Sequence, residues 1–231
     1  MISKTCKKKH LLSIFILFVL LPALVYPQKK SKKDIIVASQ IPETQLKTIS
    51  TDELLEKCLG YPYIADVMFA ENIPLMFKYI RQEFNGFNEL FGRQDVAQVI
   101  LNYFLNFDFE KINEYQVDYK KGLYVFKFCY LNLLLAQDEI IDKLGDNYKV
   151  TNQINKKYLE TNDKSLSSFR SLVPITFVGY NMLKYLENTA LGKSSDILPL
   201  VSITHSMHIS SLDYATVEYL SEFVTTNIGG K

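Results

Sequence analysis

The stretch Ser50-Thr-Asp-Glu-Leu-Leu-Glu-Lys-Cys-Leu-Gly-Tyr-Pro-Tyr-Ile-Ala-Asp-Val-Met-Phe69 carries the clearest structural signals in the chain. Ser50 followed by Glu53 has the spacing of a capping box, in which a hydroxyl and a carboxylate satisfy amide donors at a helix start. Leu54, Leu55, Cys58 and Leu59 then share one helix face, because side chains three and four positions apart lie on the same side. Gly60 ends that helix. Pro62 suits the first turn of the next one, where no amide donor is needed, and Ile64, Val67 and Met68 supply its apolar face. Two short helices bent around Gly60-Tyr61-Pro62 are predicted, and every residue of the stretch has a scaffold role.

The same punctuation extends outward. Met76, Tyr79 and Ile80 line a helix starting near Pro74, Asn85-Gly86 reads as a turn, and Phe87, Leu90 and Phe91 follow. Val96, Val99, Ile100, Tyr103 and Phe104 keep helical spacing. Residues 122–144 read as the longest helix, with Phe126, Tyr130, Leu133, Leu134, Gln137, Ile140, Ile141 and Leu144 on one side, stopped by Gly145. A more polar helix is predicted over 150–159, and another over 174–191, closed by Gly192. Residues 201–209 alternate apolar and polar, which argues for a strand. A last helix is capped by Ser210 or Ser211 and buries Val217, Leu220, Val224 and Ile228. The expected fold is mainly all-α: an irregular array of short antiparallel helices, loosely armadillo- or HEAT-like without a strict sequence period, with a short β-like segment near 200–210.

Lys4, Lys7, Lys8 and Lys9 precede an almost wholly apolar run from Leu11 to Tyr26. A basic start before about 15 apolar residues suits a secretory signal better than a membrane span, which needs about 20. The division expected is a signal over 1–28, a polar extended lead-in over 29–49, and one mainly helical domain over 50–231. The protein is then secreted or periplasmic, and it touches membrane only through the N-terminal segment if that remains uncleaved as an anchor.

Eight of the 26 Lys and Arg precede Asp34, whereas none of the 25 Asp and Glu does, so the rest of the chain has 18 against 25 and a net charge of −7. Such a surface repels phosphates, and a nucleic-acid partner is not expected. Cys58 and Cys129 follow the signal; both sit among apolar residues, where buried thiols and a pairing are alternatives.

Reactive constellations are sparse. His205 and His208 are the only histidines beyond the signal. On a helix their spacing would place both imidazoles on one face, as weak candidate metal ligands; on a strand it points them apart. A hydrolase or metal-dependent enzyme using this pair is the alternative reading. Neither cysteine has the polar, partly open setting of a nucleophile, and no nucleophile elbow or phosphate-binding glycine loop occurs. No cofactor and no catalytic residue is expected. Tyr61 and Tyr63, with Phe107 and Phe109, are the aromatic residues able to line a binding surface for a peptide or sugar.

Three stretches, Ser50 to Pro62, Phe84-Asn-Gly-Phe-Asn-Glu-Leu-Phe-Gly-Arg-Gln-Asp95, and Leu134-Leu-Ala-Gln-Asp-Glu139 with its continuation to Leu144, together resemble a helical domain of secreted bacterial proteins, many without assigned function. In some of these the domain precedes a Cys-His, amidase-like catalytic domain marked by a Tyr-Asn-Cys-His-Ser-Tyr-like sequence, which this chain lacks. The resemblance therefore implies a fold and no catalytic residue. The expectation is a non-enzymatic helical module that binds an envelope or extracellular protein or a cell-wall component. A membrane-anchored envelope scaffold is the third reading.

Overall fold

A computed structural model describes residues 31–68, 70, 73–163, 174–205 and 212–229. The expected signal over 1–28 lies outside them. Among the described residues no strand occurs, so the fold is all-α. None of their helices is long and apolar enough to cross a membrane.

The extended lead-in is not borne out. Helix α1, Lys32–Ser39, belongs to a unit of its own, and a second unit runs from Gln40 onward. Ser31 and Asp34 cap α1 reciprocally, the Asp34 amide donating to Ser31 Oγ and the Ser31 amide to Asp34 Oδ2. The second unit also starts earlier than expected, with α2 (Glu43–Leu46) and a buried Ile41. Arg93 fastens this segment by donating to the carbonyls of Leu46 and Ile49, both at 2.8 Å.

Helix α3, Thr51–Leu59, forms with its predicted capping box and ends at Gly60. Leu54, Leu55 and Cys58 are fully buried. Pro62 lies in a turn, and α4 begins only at Ala65 and runs to Met68. Next come α5 (Ile73–Glu83), α6 (Asn85–Gly92) and α7 (Val96–Leu105). Asn85-Gly86 is the opening of α6 rather than a turn, because Asn85 spends its side chain on Ile41 and Gly86 lies close beneath the Phe84 ring.

The predicted long helix is two. After a 3₁₀ segment, Phe109–Glu114, α8 spans Asp118–Leu135 and α9 spans Asp138–Leu144. Gln137 between them is extended, and its side chain donates to the Leu133 carbonyl at 2.7 Å. Asp138 and Glu139 then sit in the first turn of α9, where negative charge meets the positive end of the helix dipole. Periodicity alone missed this break because Ile140 and Ile141 stay buried after it. Gly145 ends α9 with φ of 73°, as its position predicts.

Helices α10 (Asn147–Asp163), α11 (Pro174–Leu186), α12 (Leu198–Val201) and α13 (Tyr214–Asn227) complete the order, with 3₁₀ turns at Leu191–Lys193 and Ser202–Thr204. Residues 198–204 are therefore helical, so the described start of the β-like segment expected near 200–210 is not a strand. Val201 and Thr204, three apart, are buried, which is helical spacing that the run of β-branched residues concealed. Residues 206–210 lie outside the described part. Asp213, rather than Ser210 or Ser211, caps α13 by accepting from the Thr216 amide.

Helix α8 occupies the centre of this second unit. It packs against α7 and α11, while α10, α11 and α13 pack on one another. From Phe128 to Ala136 every residue of α8 and its cap is buried. Two asparagines in this core pair across helices, Asn181 Nδ2 donating to Asn132 Oδ1 at 3.3 Å. Buried amides remain compatible with folding when such partners are built in.

Candidate binding cleft

The corner at Gly60-Tyr61-Pro62 projects the end of α3 toward the outer face of α8, and a cleft of about 640 Å³ lies between them. That volume is in the range of small-ligand and peptide sites. One wall is Leu59, Tyr61, Pro62, Ile64 and Ala65. The other is Leu123, Phe126 and Tyr130, spaced three and four apart on α8 so that they form one stripe.

Burial is graded along this wall. Tyr130 is 5% exposed, Phe126 is half-buried, and Leu123 is 49% exposed, an apolar side chain held open at the mouth. Lys127 and Glu56 also line the cleft and join its walls, with Lys127 Nζ 2.7 Å from both carboxylate oxygens.

Tyr61 is 2% exposed and stacks on Phe84, with ring centroids 4.6 Å apart, while Tyr63 meets it edge-on at 5.9 Å. Its hydroxyl is buried without a hydrogen-bond partner. Burial first, and then the carboxylates of Glu83 and Asp66 with Tyr63 between, push this phenol up to about 12. Burial, with Cys129 and Asp66, raises Tyr130 as well. Asp66 thus bears electrostatically on both tyrosines of the cleft.

Of the four aromatic residues expected to line a binding surface, Tyr61 alone lines the cleft. Tyr63 packs on Tyr61. Phe107 and Phe109 do not belong to it: they are 7% and 4% exposed and pack on Phe128. Lys157 covers Phe109, with Nζ 5.4 Å from the ring centroid. Tyr124, whose hydroxyl donates to the Asp108 carbonyl at 2.7 Å, covers Phe107. A Trp-free chain builds its core from Phe and Tyr, and this cluster is core.

His205 stands at the end of the 3₁₀ turn Ser202–Thr204, and its Nε2 lies 2.9 Å from Glu187 Oε1. Glu187 also pairs with Lys184 through Oε2 at 3.0 Å, and Lys184 reaches Asp138 at 3.0 Å. Burial alone would lower Lys184, but these two carboxylates outweigh it and hold it above the ordinary lysine range. His208 lies outside the described residues. Among the described residues no group of three or more His, Cys, Asp or Glu is placed to hold a metal ion.

Cys58 and Cys129 are both free, and burial pushes both thiols well above the ordinary range. A thiol so placed gives little thiolate and is a poor nucleophile.

Sequence reasoning missed Leu123 and Lys127, and it treated Phe126 and Tyr130 as core alone. The available signal was the spacing of Leu123, Phe126 and Tyr130, three and four apart along α8.

Comparison with known proteins adds no relative: no family model matches this chain, and neither a curated protein nor a solved structure is significantly similar to it.

Proposed function

We propose that the protein is a secreted or periplasmic, non-catalytic helical module that binds a protein or cell-wall component at the cleft between the Tyr61 corner and α8. The observation that carries this reading is the apolar stripe Leu123–Phe126–Tyr130, left open at Leu123 opposite a rigid aromatic corner. Aromatic and aliphatic anchors in partly dry pockets supply most of the energy in protein recognition. The basic and apolar N-terminal run supports export.

The test is crosslinked capture from a cell-envelope extract with the full chain, run beside Leu123→Arg. Leu123 is half exposed, so the substitution leaves the fold intact. A saturable species retained by the native protein and lost with Leu123→Arg supports the reading. Equal retention by both sinks it.

A further inference from the structure

The two charged residues that line the cleft come from opposite walls and face each other. Glu56 stands on α3, three and four positions before Leu59 and Gly60 of the same wall. Lys127 stands on α8, four positions after Leu123 and three before Tyr130. Side chains at those spacings are neighbours on a helix surface, so Lys127 lies between the open mouth at Leu123 and the buried floor at Tyr130. Its Nζ is 2.7 Å from both Glu56 oxygens. Both side chains of the pair stay part-exposed whereas Tyr130 is buried, which puts the pair on the solvent side of the floor.

The two walls share a support. Helix α3 packs on α6 and α7, and α8 packs on α7 and α11. The ion pair joins α3 to α8 again, across the cleft and between residues 71 apart in sequence.

We propose that the Glu56–Lys127 pair is a strap across the cleft, closed at low ionic strength, which an occupant must part to reach Tyr130. An exposed ion pair biases an equilibrium by a few-fold at most, enough to favour the closed cleft and weak enough to yield to an occupant. An occupant that fits only the open cleft then binds with an affinity lowered in proportion to the closed fraction. Salt screens the pair and raises the open fraction. The inference rests on the binding reading above and adds how access to that site is controlled.

The experiment is a fluorescence titration of the full chain with Nile red, a neutral dye that brightens in apolar surroundings. It is run at low salt and at about 1 M NaCl, where charges are screened beyond about 3 Å. Lys127→Met removes one charge and keeps the side-chain length, and Glu56→Gln removes the other. At low salt each should bind the dye about two- to fivefold more tightly than the native protein, the range an exposed pair allows. At high salt the native protein should match both variants. The exchanged pair, Glu56→Lys with Lys127→Glu, should restore the native affinity and its salt dependence. Leu123→Arg should weaken the dye about tenfold in every background, the loss of one central anchor.

Equal dye affinity of the native protein and the two single variants at low salt, or weaker binding by the variants, overturns the strap and leaves the cleft reading to its own capture test. So does a native-to-variant ratio that salt leaves unchanged, or an exchanged pair that behaves as the single variants do. Dye binding indifferent to Leu123→Arg, or no dye binding in any background, counts against the cleft itself and overturns the strap with it.

Discussion

Asn85 holds both backbone groups of Ile41 with one side-chain amide: the Ile41 amide donates to Asn85 Oδ1 at 3.0 Å, and Asn85 Nδ2 donates to the Ile41 carbonyl at 2.8 Å. Gln40 completes the clasp, its Nε2 donating to the Glu83 carbonyl at 2.7 Å and its Oε1 accepting from the Asn85 amide at 3.2 Å. Two side-chain amides thus do what a short β-bridge would do, and they bring Ile41 against Gly86. Asn85→Ala leaves the Ile41 groups without partners in a part-buried site. The expected loss is about 1–3 kcal/mol of unfolding free energy in urea titration. Asn85→Asp should cost at least as much, because a carboxylate then faces the Ile41 carbonyl with no donor.

Two buried tyrosines should answer the same substitution with opposite signs. Tyr185 is fully buried and donates to the Leu135 carbonyl at 3.0 Å, so Tyr185→Phe should destabilise by about 1 kcal/mol. The Tyr61 hydroxyl is buried without a partner, so Tyr61→Phe should be neutral or stabilising by up to about 1 kcal/mol. Thermal or urea unfolding of the two variants decides it. A loss from Tyr61→Phe as large as that from Tyr185→Phe would mean that the Tyr61 hydroxyl is satisfied.

A side chain at Gly192 has no room. A Cβ there would sit 2.1 Å from the Leu186 carbonyl oxygen, which is backbone and cannot rotate away. Gly192→Ala should cost more than about 2 kcal/mol. Gly122, inside α8, has nothing within 4 Å of the same position, and Gly122→Ala should stabilise by up to about 1 kcal/mol through helix propensity. Matched unfolding curves test both, and comparable effects would contradict the packing at residues 186–192.

Stability should fall on the alkaline side. Burial first, and then nearby carboxylates, push Tyr61 and Tyr124 up to about 12 from an ordinary 10.0. Above pH 10 the unfolded chain therefore loses these protons before the folded one, so the contribution of these tyrosines is complete below pH 10 and declines through pH 12. The buried thiols act in the same sense from a lower pH, because an unfolded thiol ionises around 9.0. The thermal midpoint should begin to drop near pH 9 and fall further between pH 10 and 12 as tyrosinate absorbance appears, and Cys58 and Cys129 should resist thiol reagents until the protein unfolds. Rapid labelling of the native protein at pH 8 would contradict their burial.

The parts of this fold legible in the sequence are those written locally. Ser50 and Glu53 announce a helix start within four residues, and Gly145 announces a stop through a φ that other residues avoid. What failed was written in tertiary contacts. The break at Gln137 depends on a side chain returning to Leu133, and the helical state of 198–204 overrode a period-two pattern. Asn85-Gly86 has a turn's composition, but Asn85 is engaged with Ile41, which is 44 residues away. Tyr61 was visible as a candidate and its opposing wall was not, because only packing decides which edge of a buried helix such as α8 remains open.

The most direct test of the cleft as a binding surface is a photo-crosslinking amino acid at Leu123 in the full chain, irradiated in envelope extract, with Leu198 labelled in parallel. The account predicts one saturable adduct from Leu123, suppressed by excess unlabelled protein and absent from Leu198. No adduct at Leu123, or the same adducts from both positions, would contradict it.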